Sequence, residues 1–158
     1  AGFENIDASV LTTGILTATA AATGRIIIGG GANDTITGGA GVDVLTGNLG
    51  VDHFVFNAIP QAGEFDTITD FVSGTDKIDL THAAFEMITT AVGGALSSSE
   101  FAAGSGLIAS TTAGTVMVYN TSTGNLYYDA DANGAGTGLL VAHLDGTPAL
   151  TAADINVI

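Results

Sequence analysis

Three nine-residue segments, GGGANDTIT (29–37), GGAGVDVLT (38–46) and GNLGVDHFV (47–55), align without a gap, and each carries Asp at its sixth place. The middle copy has glycine at places one, two and four. The first copy has Ala32 at the fourth place and the third has Asn48 at the second. Self-similarity at so short a fixed period marks a solenoid built from one turn and one strand repeated. Glycine lets a six-residue turn take positive φ and aim its backbone carbonyls inward, and the Asp adds a carboxylate. The last three residues of each copy form a short strand whose middle side chain, Ile36, Leu45 or Phe54, points into the core.

Carbonyl and carboxylate oxygens are hard ligands of the kind calcium takes. Two nonapeptides make one coil, so loops facing each other across a cation lie two repeats apart in sequence. Loop 29–34 then faces loop 47–52, with Asp34 and Asp52 as carboxylate ligands and carbonyls from Gly30, Ala32, Asn48 and Gly50. Loop 38–43 offers Gly39, Gly41 and Asp43. Pairing it backward meets residues 20–25, where the sixth place is Arg25, so an Arg25–Asp43 ion pair is expected at that end. Pairing it forward requires a donor from beyond the repeats, either Asp66 or Asp70.

The charge pattern agrees with a cation-dependent fold. The 158 residues carry 16 acids against only Arg25 and Lys77, a net charge of −14. Eight of the acids fall between residues 34 and 79, and repulsion among them destabilises a compact metal-free state. No cationic surface exists to replace phosphate counterions, which argues against nucleic acid and against anionic membrane surfaces. No apolar run approaches the roughly 20 residues that a membrane span requires, so no membrane insertion is expected. Absence of cysteine excludes disulfides and zinc–thiolate sites. The first ten residues, AGFENIDASV, have neither a starting Met nor the zones of an export signal, and we read the chain as part of a longer protein.

The nine-residue phase extends backward without its carboxylates and places Ile27 and Ala18 at the inward position, with Phe3 and Ile6 covering the open end. A solenoid this short needs its ends covered, which makes the remainder of the chain a cap. Downstream of the repeats stand HFVF (53–56), FDTITDF (65–71) and GTDKIDL (74–80). Together with the repeats, these segments resemble, over about 60 continuous residues, secreted proteins of the RTX (repeats-in-toxin) family, including serralysin-type proteases and the repeat modules of alginate epimerases. The resemblance implies calcium as cofactor, a secreted or cell-surface location and export by type I secretion machinery. The terminal LTAADINVI resembles the uncleaved C-terminal signal of proteins exported in that way. Scarce cytosolic calcium would leave the acidic repeats unfolded and threadable, and millimolar external calcium would fold them after exit.

Beyond residue 81 the pattern changes. THAAFEMI (81–88) is expected to form a short helix, and SSSE (97–100) reads as a capping box before a second short turn. Strands are expected at 115–120, 125–129 and 138–144, with TSTG (121–124) turning between the first two. DADANG (129–134) begins like a calcium loop of the EF-hand type, but its twelfth place is Leu140. Asp129 and Asp131 therefore belong either to an Asx-rich hairpin turn or to a further cation site.

No catalytic constellation emerges. His53, His82 and His143 are isolated, no G-x-S-x-G elbow occurs, and the clustered carboxylates are already placed as repeat ligands. The expected architecture is all-β, with a short right-handed parallel β-roll at 1–58 followed by a mainly antiparallel cap with one or two short helices at 59–158. Three functions fit: a calcium-triggered folding and secretion module, a calcium-dependent structural surface protein (S-layer or adhesin) that self-associates at a cell surface, and a carbohydrate-binding accessory module of a polysaccharide-active enzyme.

Overall fold

The structure, a computed structural model, describes residues 5–20, 24–132 and 136–158. The repeats and their upstream extension fold into short strands: β1 (Asn5–Asp7), β2 (Thr17–Thr19), β3 (Ile26–Ile28), β4 (Thr35–Thr37), β5 (Val44–Thr46) and β6 (His53–Phe56). Successive strands alternate between two sheets, each with parallel pairing. Ile26 pairs with Val44 and Thr35 with His53, so one coil spans two nonapeptides. The period of two within each strand leaves one inward side chain per strand. In one sheet Ala18, Ile36 and Phe54 stack across paired strands, and in the other Ile6, Ile27 and Leu45 do so. All of these except the partly exposed Ile6 are buried.

Parallel coiling does not stop at residue 58. β7 (Asp66–Ile68) pairs in parallel with β5, and β8 (Lys77–Leu80) with β6. These coils are longer: Thr67 pairs with Val44 and Lys77 with His53. The extra residues lie in the connecting loops, which is why the nine-residue phase disappears while the inward stack continues through Ile68 and Ile78. A final coil returns from far along the chain. β13 (Leu139–Leu144) lies parallel to β7, and β14 (Ile155–Val157) lies parallel to β8, adding Leu144 and Ile155 to the two stacks.

Between these come β9 (Gly94–Ala95), β10 (Phe101–Gly104), β11 (Met117–Asn120) and β12 (Asn125–Tyr128). Strands β11, β12 and β13 form an antiparallel meander, β10 joins β11 in parallel, and β9 joins β14 antiparallel. The expected turn at TSTG forms: Gly124 takes φ of 75° and the Asn120 carboxamide oxygen accepts the Ser122 N–H.

The helix expected at 81–88 does not form. Residues 81–88 make successive turns, with Phe85 N–H donating to Thr81 and Ile88 N–H to Phe85. Phe85 and Ile88 are buried in the core, so packing takes over a segment too short to hold a helix unaided. At 97–100 the expected short turn forms, with the Glu100 N–H donating to the Ser97 carbonyl at 2.9 Å, but it does not open a helix. Glu100 is instead buried, and its carboxylate accepts hydrogen bonds from the backbone and hydroxyl groups of Thr89 and Thr90. The one helical element among the described residues is a 3₁₀ turn at Ala152–Asp154. Because coils on both sides of residue 58 share one core, Ile78→Val is expected to cost about 1 kcal/mol, the same as Ile36→Val. Chemical denaturation in calcium, with a single transition for both variants, checks this.

Candidate metal centre

The turns of the second and third repeats share one backbone form. Gly39 and Gly41 adopt φ of 83° and 111°, and Asn48 and Gly50 adopt 69° and 135°. Asn48 replaces glycine at a place where Asn is among the few residues that tolerate the left-handed region. The first repeat differs, since neither Gly30 nor Ala32 has positive φ.

The sixth-place carboxylates bind each coil to the one before it. Asp34 Oδ1 accepts the Leu16 N–H at 2.7 Å, Asp52 Oδ1 accepts the Asp34 N–H at 2.8 Å, and Asp76 Oδ1 accepts the Asp52 N–H at 3.1 Å. On the opposite edge, Asp43 Oδ1 accepts the Arg25 N–H, and Asp66 Oδ1 accepts the Asp43 N–H at 3.0 Å. The second oxygens tell the loops apart. Asp34 Oδ2 takes the Gly30 N–H at 2.6 Å and Asp76 Oδ2 takes the Val72 N–H at 2.8 Å. Asp43 Oδ2 and Asp52 Oδ2 are buried with no hydrogen-bond partner. A buried, unpaired anionic oxygen is costly, and a cation is the natural partner.

Electrostatics point the same way. Burial, foremost, pushes the Asp66 carboxyl up to about 7, and the neighbouring Asp43 carboxylate adds to it. Burial, reinforced by Asp76, Asp34 and Asp70, pushes Asp52 up to about 6. Asp43 and Asp76 are raised as well, both chiefly by burial. At Gly38, the point where a Cβ would sit lies 2.3 Å from Asp66 Oδ2 and 3.2 Å from Asp43 Oδ2, so these two oxygens converge and only glycine fits between them. Among the described residues no three acidic or imidazole side chains gather closely enough to hold a metal by themselves. Backbone carbonyls of the loops would have to complete any coordination shell, which is how glycine-rich turns serve calcium.

The other expected site residues fall as follows. Asp70 is not beside Asp43. Its oxygens accept the Gly47 and Asn48 N–H groups at 2.9 and 2.7 Å, on the edge that carries Asp52. The expected Arg25–Asp43 ion pair is absent: the Arg25 backbone N–H reaches Asp43, while Nη1 donates to the Gly24 carbonyl at 3.3 Å. Asp129 is buried, with Oδ2 accepting the Ser110 N–H and Oδ1 accepting from Asp131 and Ala132, an Asx-type turn. Phe3, residues 21–23 of the loop preceding Arg25, and Asn133 and Gly134 of the DADANG segment lie outside the described residues. Asp76 is the residue the repeat pattern missed. Its signal was GTD (74–76) directly before a strand, 24 positions beyond Asp52 instead of the 18 that the period demands.

The two edges also pack differently. Loop 47–52 lies directly on loop 29–34: Asn48 Nδ2 donates to the Gly29 carbonyl at 2.7 Å, and Val51 N–H donates to Asn33 Oδ1 at 2.9 Å. On the other edge, loop 38–43 and the longer loop after β6 border a cavity of about 180 Å³, lined by Gly39, Gly41, Phe56, Ile59, Glu64 and Asp66 among others.

Residues 8–109, about two thirds of the chain, match the family described as Peptidase M10 serralysin C terminal, which is the RTX repeat region of those proteins. No curated protein matches the chain.

Proposed function

Since this chain belongs to the serralysin C-terminal family, we propose that it is a non-catalytic calcium-binding module that folds when it meets external calcium after type I secretion of a larger extracellular protein. The observation that carries this reading is the pair of buried, unpartnered oxygens, Asp43 Oδ2 and Asp52 Oδ2, each at the end of a left-handed glycine turn. One calcium would be held at Asp43 and Asp66 with carbonyls from loop 38–43, including Gly39 and Gly41. A second would be held at Asp52 and Asp34, with carbonyls from Gly30, Ala32, Asn48 and Gly50. Asp34 already accepts backbone N–H groups, but each of its carboxylate oxygens keeps a spare lone pair for a metal. Calcium supplies the positive charge that lets these buried carboxylates ionise together, and the chain supplies the coil geometry that presents them. No helix among the described residues is long and apolar enough to cross a membrane.

Isothermal titration calorimetry tests the assignment. Asp52→Ala is expected to weaken calcium binding strongly or to remove one site. Asp131→Ala, at an exposed turn position, is expected to leave binding unchanged. Equal losses in the two variants would overturn the assignment.

A further inference from the structure

We propose that strand β10 is an interface between two copies of this chain, which pair antiparallel along it about a two-fold axis at Ala102 and so join their larger sheets. β10 stands at the end of the eight-stranded sheet, with β11 on one side only. The Glu100 and Gly104 carbonyls accept the Met117 and Thr121 N–H groups, so alternation along the strand turns the backbone groups of Phe101 and Ala103 the other way. Among the described residues nothing takes up those N–H and C=O groups. A free edge of this kind is ordinarily blunted by Lys, Pro or a bulge. β10 has none of these: it reads FAAG, pairs with β11 in unbroken register, and is flanked by the small residues Ser97–Ser99 and Ser105–Gly106 around a buried Glu100.

Two observations select a second copy as the occupant. The first is that the edge is self-complementary. Opposed residues of antiparallel strands exchange both their backbone bonds, and Phe101 set opposite Ala103 of the second copy, with Ala103 opposite its Phe101, satisfies every free group of both strands. That register puts Ala102 opposite itself in the closer, non-hydrogen-bonded kind of pair, at about 4.5 Å between Cα atoms, where a small side chain fits. It also lays each Phe101 ring beside the small Ala103 of the other copy, on the same face of the joined sheet. The second observation is charge. With 16 acids and a net charge of −14 the chain repels its own copies, yet residues 101–128, which include β10, β11 and β12, contain no Asp, Glu, Lys, Arg or His. The contact is isologous and therefore closes: both edges are consumed and growth stops at a dimer. No loop of the repeats takes part, so the pairing stands apart from the calcium reading.

Sedimentation velocity of the full chain over a concentration series in calcium tests this, with circular dichroism reporting the β content of every variant. A reversible monomer–dimer equilibrium is expected, with the average mass rising toward that of two chains. Ala103→Pro removes an N–H that the single chain leaves unused, at an edge position where Pro is tolerated; the β signal is expected to persist and the dimer to be lost. Ala102→Lys and Ala102→Glu each set like charges face to face across the axis and are expected to be monomeric alone, whereas their equimolar mixture brings opposite charges together and is expected to dimerise. A wild-type chain that stays monomeric at every concentration overturns the proposal and leaves the edge to a partner of different sequence. A dimer that survives Ala103→Pro, or a mixture of the two charged variants that remains monomeric, overturns it as well.

Discussion

A chain shortened to end at Leu150 is expected not to fold, even in saturating calcium. β14 lies inside its sheet, flanked by β8 and β9, and Ile155 and Val157 are fully buried. Burying such side chains is worth about 1.5–3 kcal/mol each, against a total stability of about 5–15 kcal/mol for a typical domain. The loss extends further. The Asp154 carboxylate accepts the Gly74 N–H at 2.7 Å, the Ser73 hydroxyl at 2.8 Å, and the Thr151 N–H and hydroxyl at 2.9 Å each. Those contacts fasten the last coil to the loop leading into Asp76, so removing them loosens the ladder that orders Asp52. Far-UV circular dichroism and amide dispersion in NMR, both in calcium, are the readouts. A native pattern in the shortened chain would show that the tail serves only as an export address.

The second large effect is on pH. Asp52 and Asp66 have folded-state values of about 6 and about 7 against 3.8, so the metal-free fold holds protons that the unfolded chain releases. Stability must then fall as pH rises. The penalty is absent below about pH 4 and complete above about pH 7. For Asp66 alone it is on the order of 4 kcal/mol. Without calcium the β-structured fraction is therefore expected to be larger at mildly acidic pH than above neutrality, and Asp66→Asn should flatten the dependence. With calcium present the trend reverses, because the metal competes with those same protons. Far-UV circular dichroism in chelator across this range, showing a gain of β signal toward alkaline pH, would contradict the burial of these carboxylates.

The repeat period made the core of the first coils legible. Ile36, Leu45 and Phe54 are inward as the phase requires, and its backward extension correctly placed Ala18 and Ile27 there although no carboxylates mark those turns. The information ended where coil length changed. A coil of 18 residues can be read from spacing alone, whereas the steps from Asp43 to Asp66 and from Asp52 to Asp76 depend on loops whose lengths follow no period. The pairing of β13 with β7 and of β14 with β8 joins residues about 75 positions apart, and nothing local in either segment announces it. Arg25 misled for a different reason. Its position facing Asp43 was right, but the direct contact to the carboxylate is made by its backbone N–H, while the guanidinium donates to the Gly24 carbonyl. In residues 81–88, local helix propensity yielded to the burial of Phe85 and Ile88 and to the hold of Glu100 on the threonines that follow.

The most direct measurement is far-UV circular dichroism of the whole chain, first in excess chelator at neutral pH and then across a calcium titration with magnesium as control. A cooperative gain of β signal that calcium produces and magnesium does not is the expected result. A spectrum already rich in β structure in chelator, and unchanged by calcium, would contradict metal-driven folding.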